Sequence, residues 1–267
     1  MKEKKYGVIW APTPNIGDDI QTLAAINFLK KKGITEYKLI NRERLHKYNG
    51  EEVHLIMNGW FMHHIKNFPP SKKIKPIWLS FHVARPKFVL KNLNYFKNQP
   101  AIGCRDKHTV NFLKSHGINA YFTGCLTLLF DKHPNKNSKK YLVDVNTECY
   151  YIPNIELNMD EFSGFKVVEH DVFHHGYSGI KNRLNLANKL LDEYKKASLV
   201  VTTRLHCALP CRALGTDCIF IHQDYESDPR FKGLKGVLNG ATEYHNNTSP
   251  SEGELEKIQK FFKDYKI

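Results

Sequence analysis

The sequence predicts an α/β protein built on parallel sheet, and three observations carry the prediction. Short runs rich in β-branched residues alternate with segments of helical period along most of the 267 residues. Several runs stop at a polar residue or a glycine, the position where open α/β sheets place their ligands. The alternation then restarts after 131–140, a polar stretch containing Pro134, Asn135, Asn137 and Ser138 that reads as a linker.

Residues 6–11 (YGVIWA) form the first strand, and Pro12 to Asn15 break it. A helix follows from Asp18, with Ile20, Leu23, Ala24 and Phe28 at helical spacing, lysines 30–32 in its last turn and Gly33 just past its end. Strands are predicted at 37–40, at 53–57 before Asn58-Gly59-Trp60, and at 76–81, ending at His82. Residues 101–106 read as a short strand leading into a helix over 107–116 closed by Gly117, and 121–124 is a short strand. In the second half, 141–145 and 165–168 are strands. Residues 181–197 are a helix whose apolar side holds Leu184, Leu186, Ala187, Leu190, Leu191 and Tyr194.

Residues 199–202 read as a buried strand that delivers Arg204-Leu205-His206 to the start of a helix ending at Gly215, with a further strand at 218–221. The Gly- and charge-rich 223–247 reads as loop. Ser251 caps a last helix, with Glu254 in capping-box position, and its Leu255, Ile258, Phe261 and Phe262 require a surface to cover.

The strand ends select the candidate site. Arg204 presents a fork suited to a carboxylate or phosphate, the amides of the following helix favour the same anion, and His206 can move a proton near neutral pH. Their plainer uses are pairing a local carboxylate for Arg204 and capping or packing for His206. In Asn15-Ile16-Gly17-Asp18, the carboxylates of Asp18 and Asp19 neutralise the helix start. Asp18 therefore reads as a base or an acceptor from hydroxyls, or else as an ordinary N-cap. Arg105 and His82 stand at two further strand ends, and Arg105 also has Asp106 beside it to neutralise it. The adjacent pairs His63-His64 and His174-His175 read as surface or packing residues.

Cations exceed acids by 40 − 27 = 13, which favours anionic ligands. The lysines are scattered and no nucleic-acid motif accompanies them, so nucleic acid is not the expected partner. Six cysteines without C-x-x-C spacing and without a signal peptide fit a reduced, cytoplasmic setting. Cys207 and Cys211, four apart beside His206, have the spacing of metal ligands, but their apolar neighbours favour buried free thiols. No segment reaches the roughly 20 apolar residues of a membrane helix.

With these residues in view, the chain resembles the polysaccharide pyruvyl transferase family. The likeness lies in Asn15-x-Gly17-Asp18, Cys104-Arg105-Asp106, Thr123-Gly124, and above all Thr203-Arg204-Leu205-His206 through Ala213-Leu214-Gly215. It departs at Asn58-Gly59-Trp60, where the family commonly has a glycine run, and at Gly124-Cys125, where it commonly has Gly-Asp. The resemblance implies two Rossmann-like domains facing across a cleft as in GT-B glycosyltransferases. The expected boundaries are 1–132 on the acceptor side, 139–250 on the donor side, and a C-terminal helix at 251–267 that packs back on the body.

The same resemblance implies transfer of pyruvate from phosphoenolpyruvate to two hydroxyls of a sugar or polysaccharide, with no cofactor and no metal. Arg204, Leu205 and Arg105 would bind the donor, His206 would carry the proton, and Asp18 with Asn15 and Gly17 would meet the acceptor, His82 being the alternative base. Two other readings use the same features. A nucleotide-sugar glycosyltransferase predicts nucleotide binding in place of phosphoenolpyruvate. A non-catalytic binder of anions predicts steep salt dependence and indifference to His206.

Overall fold

The backbone sorts into three parallel sheets, two of which lie end to end. The computed structural model describes residues 4–61, 64–145, 159–172, 179–222, 225, 227–231, 233–238, 240–241 and 251–267. Strands β1 (Tyr6–Trp10), β2 (Tyr37–Asn41), β3 (Val53–Ile56) and β5 (Ile74–Ile77) pair in the order β2-β1-β3-β5, with β4 (Gly59–Trp60) lying between β3 and β5 in sequence. Then β4, β6 (Phe81–His82), β7 (Ile102–Cys104) and β8 (Ala120–Phe122) pair in the order β4-β6-β7-β8. Because β4 resumes the path of β3 and β6 that of β5, the N-terminal half is one six-strand path with a step in its middle.

The step corrects the single strand expected at 76–81. Gly59 (φ 92°) and Ser80 (φ 56°) take left-handed conformations there, and the strands stay joined by Met57 N donating to Ile77 O at 2.8 Å and Gly59 N to Ser80 O at 3.2 Å. A serine in that region is strained. Its amide donates to the Thr123 hydroxyl at 3.2 Å, and its own oxygen accepts from Leu126 N at 2.9 Å.

Helix α1 (Ile16–Lys31) starts two residues earlier than predicted because Asn15 caps it, accepting from Gly17 N at 2.9 Å. Asp18 is therefore not the cap. Helices α2 (Pro86–Lys91) and α3 (Leu93–Lys97) follow β6 and were not anticipated, since Phe88, Val89 and Phe96 carry no clear helical signal in so short a stretch. Helix α4 (Lys107–Ser115) joins β7 to β8, capped by Asp106.

The C-terminal sheet runs β10-β9-β11-β12-β13, all parallel, from β9 (Lys140–Val143), β10 (Lys166–Val168), β11 (Leu199–Thr202), β12 (Asp217–Ile221) and β13 (Gly240–Ala241). Strand β13 falls within the stretch expected to be loop. Helices α5 (Ile180–Tyr194) and α6 (Leu205–Ala213) serve this sheet, and α7 (Glu252–Asp264) closes the chain. Residues 131–139 contain no regular element.

Alternation along each strand assigns the cores. Val8 and Ile56 face one way and Ile9 and Leu55 the other. The first side continues through α1, α5 and α6 into Val143, Val200 and Phe220 of the C-terminal sheet, so a single apolar layer of helices lies between the two sheets. Helix α7 packs back as expected, burying Leu255, Ile258 and Phe262 in that layer, with Phe262 edge-on to Phe28 at 6.2 Å. A Cβ on Gly124 (φ 73°) would come within 2.9 Å of Ile258, so the Thr123-Gly124 motif seats this helix. No helix among the described residues is long and apolar enough to cross a membrane.

Candidate active site

The two halves meet through backbone as well as side chains. Ile16 N donates to His170 O at 3.0 Å and Val172 N to Pro14 O at 2.8 Å, which staples the β1–α1 loop to the segment after β10. Beside this staple Arg183 of α5 grips Asp19 of α1 with two bonds, at 3.2 and 2.8 Å, both side chains being buried. Burial pushes the Asp19 carboxyl up to about 6 in spite of the guanidinium.

Across that junction the first turns of α1 and α6 touch. A Cβ on Gly17 would lie 3.1 Å from the Cβ of His206, so the glycine permits the two helix starts to approach. The structure thus brings Asn15, Gly17 and His206 together. The His206 ring is enclosed, its Nε2 buried with no hydrogen-bond partner among the described residues. Burial first, and then the charges of Arg105, His82 and His170, push its pKa well below the usual histidine value. His206 is therefore a neutral imidazole, and its backbone leaves helical geometry (φ −86°, ψ 19°).

His82 and Arg105 belong to the same electrostatic group. His82 Nδ1 lies 2.6 Å from Asp106 Oδ2, and an ionised carboxylate only accepts, so Nδ1 holds the proton and Nε2 the free lone pair. That Nε2 is buried and without a partner. Burial, then the Arg105 charge, lowers the His82 pKa to about 4 against the opposing pull of Asp106. Burial raises the Asp106 pKa, but the His82 hydrogen bond, the Arg105 charge and the amide of Thr109 outweigh it, so this carboxyl lies below its ordinary value. Asp106 holds both groups at once, since its Oδ1 accepts from Thr109 N at 2.8 Å to start α4.

Arg105 is 4% exposed, its Nε is unpartnered, and the Asp106 carboxylate stands 3.6 Å away, beyond hydrogen-bond reach. Burial lowers its pKa. The charge of Arg230 acts on both Arg105 and His82 from the C-terminal half; Arg230 is itself tied to Asp228.

Arg204 follows the plainer course only in part. Its Nε bonds Asp144, which also accepts from His170 N at 3.0 Å, while the arginine side chain remains 28% exposed. Asp144 sits at φ 51°, a strained position for a non-glycine residue, at the end of β9. Sequence reasoning missed it, although the strand-end rule that selected Arg204 applies to it equally.

Asp18 is placed differently from His206. It accepts from Thr13 (2.5 Å), Gln21 (3.2 Å) and Arg42 (3.4 Å) in a small hollow shared with Asn58 and Gly59 at the ends of β1 and β3. Arg42 and Gln21 gave no sequence signal for this site. Larger hollows of about 280 and 560 Å³ lie elsewhere and include none of these residues.

Cys207 and Cys211 turn into the core with Cys218, and burial raises both of the first two thiols well above the usual thiol range. Among the described residues no group of three or more His, Cys, Asp or Glu is placed to hold a metal. His64 lies in an exposed turn, whereas His63, His174 and His175 fall outside the described residues.

A sequence model of polysaccharide pyruvyl transferase matches residues 15–225, a span running from the Asn15 cap through both helix starts to Tyr225. The chain belongs to the polysaccharide pyruvyl transferase family. It is a transferase that modifies polysaccharide.

No curated protein sequence matches it. Among solved structures, it is similar to a functionally uncharacterised protein of Klebsiella pneumoniae subsp. pneumoniae, at 17% identity over 85% of this chain and 87% of that one, with a TM-score of 0.50. That likeness concerns the fold. A variant of the wall teichoic acid polymerase TagF aligns at 12% identity over 98% and 82% of the chains (TM-score 0.42). The β-Kdo 2,7 transferase KpsC of Thermosulfurimonas dismutans aligns at 11% over 96% and 89% (TM-score 0.30).

Proposed function

We propose that this member of the family transfers pyruvate from phosphoenolpyruvate to two hydroxyls of a sugar in a polysaccharide, forming a cyclic ketal and releasing phosphate. The observation that supports it is the set of buried nitrogens without a hydrogen-bond partner among the described residues, Arg105 Nε, His82 Nε2 and His206 Nε2, acting on one another between the two halves. Buried polar atoms left unpaired are costly, and an anion completes such a group. Phosphoenolpyruvate brings a carboxylate and a phosphate in one small molecule.

In this reading Arg105, Arg204 and Arg230 hold the donor charges, and the α6 start at Leu205 adds backbone donors. His82 is neutral until the donor arrives, whose negative charge then favours the imidazolium. Asp106 stabilises that cation while Nε2–H protonates the methylene carbon. A first sugar hydroxyl bonds to the central carbon and passes its proton to His206 Nε2. The carbon–oxygen bond to phosphate breaks with its electron pair leaving on phosphate, and the second hydroxyl closes the ketal. Of the two hydroxyl protons, one replaces the proton given to carbon and the other departs on phosphate. Asp18, with Asn15 and Gly17 beside it, orients the acceptor on 1–132, and 139–250 carries most of the donor contacts. No cofactor or metal enters the scheme, and the five cysteines among the described residues, all free, favour a cytoplasmic setting.

The test is thermal stability with phosphoenolpyruvate beside a nucleotide panel, followed by phosphate release with a sugar acceptor. A ligand at 100 times its dissociation constant adds about 2.7 kcal/mol of stability. A shift with phosphoenolpyruvate that Arg105→Gln removes is the expected result. A shift with nucleotide alone replaces this reading with nucleotide-sugar glycosyl transfer.

A further inference from the structure

Part of the surface charge of this protein is answered by acids. Lys5 and Lys38 pair with Glu51, Lys31 with Asp131, Lys75 with Glu52, Lys166 with Glu193 and Lys260 with Asp264. One region is different. From Val53 to Phe130 the sequence contains a single acid, Asp106, and eleven Lys or Arg. Asp106 is fully buried against His82 and Arg105, so this stretch places no carboxylate on the surface.

Topology places five of these eleven cations on one side. The crossovers β6–α2–α3–β7 and β7–α4–β8 advance in the same direction across the sheet, and right-handed connections then set all three helices on the same face. The core confirms this: Phe88, Phe96, Val110 and Leu113 share one cluster with Ile9 and Leu55, on the side away from α1. The outer surface of these helices carries Lys87, Lys91, Lys97, Lys107 and Lys114, all exposed and without an ion-pair partner among the described residues. Leu90, between Lys87 and Lys91 on α2, is 46% exposed and lies among these unpaired lysines. Its side chain and the lysines point the same way out of a short helix whose other face, Phe88 and Val89, is fully buried.

We propose that the α2–α4 face docks the protein on an anionic lipid surface, with Leu90 entering the headgroup boundary and the five lysines meeting the lipid charge. Unpaired lysines supply the electrostatic attraction, and an exposed aliphatic side chain in their midst distinguishes a bilayer from a purely polar polyanion. The proposal is independent of the donor and of the reaction.

The experiment is cosedimentation of the full chain with vesicles of phosphatidylglycerol in phosphatidylcholine, against phosphatidylcholine alone. Binding to the anionic vesicles only, weakening with salt, is expected. Lys87→Gln/Lys91→Gln/Lys97→Gln should lower the partition coefficient about 100-fold, and Leu90→Ser should lower it severalfold at fixed charge. Lys5→Gln/Lys166→Gln is the control at unchanged binding, and turnover in solution should be the same in every variant. Equal binding to both vesicle types, loss in the control variant, or binding to soluble polygalacturonate with none to lipid would each overturn the proposal, the last in favour of an acidic glycan.

Discussion

Replacing Asp106 by Asn separates proton transfer from donor binding. The native carboxylate accepts from His82 Nδ1 at 2.6 Å and from Thr109 N at 2.8 Å, so asparagine keeps the helix cap through its oxygen and turns its NH₂ toward the imidazole. Nδ1 must then accept, and the proton moves to Nε2, reversing the tautomer that the site uses. Loss of a correctly oriented histidine costs roughly 10²–10⁴ in kcat. The same change removes the carboxylate 3.6 Å from the buried Arg105 and leaves only the weaker influence of Asp228 among the described residues, so the guanidinium gains more from an incoming anion. The expected outcome is a kcat two or more orders of magnitude lower, measured by phosphate release, with a phosphoenolpyruvate Kd by titration calorimetry that is unchanged or tighter. Turnover within about threefold of the parent chain would refute the dyad, and a parallel loss of donor affinity would make Asp106 a binding residue instead.

Arg183→Leu strands the buried Asp19 carboxylate and should cost about 3–5 kcal/mol in urea denaturation at pH 7, less at pH 5, where a carboxyl with a pKa near 6 is protonated. Gly17→Ala sets a methyl 3.1 Å from His206 Cβ and 3.0 Å from Asn15 Oδ1; stability should move by about 1 kcal/mol while kcat falls at least tenfold. His82 binds fewer protons folded (pKa about 4) than unfolded (near 6.5), so stability rises with pH across that window and is lost as pH falls through it. A two-unit depression is worth about 3 kcal/mol; denaturation midpoints of His82→Gln followed from pH 7 to 4.5 should therefore fall less steeply than those of the parent chain. Asp19 acts in the opposite sense between pH 4 and 6, so the comparison is made within one protein background.

Most strands were legible because buried parallel strands are short, β-branched and end abruptly, as in 199–202 and 53–56. What sequence could not show was the pairing of distant groups. Asp19 reads as a helix-start acid, yet Arg183, 164 positions away, claims it. Arg204 and His206 were selected by place, but that Asp144 orients Arg204 and Asp106 orients His82 shows only when strand ends are seen side by side. Helices α2 and α3 escaped because six and five residues give too little period to register, and packing of Phe96 on Trp78, Phe81 and Phe88 decides them. Helix α1 begins at Ile16 rather than Asp18 because the cap goes to Asn15, whose side chain reaches the free amide of Gly17.

The apolar layer shared by both sheets makes the molecule one thermodynamic body. Neither half can swing away without exposing α1, α5 and α6 together, a cost comparable to unfolding. Calorimetry would record a single transition, and the distance from Gly17 to His206 would be set at the moment of folding and not by substrate. Damage as remote as the seat of Phe262 would then reach the chemistry by loosening the whole.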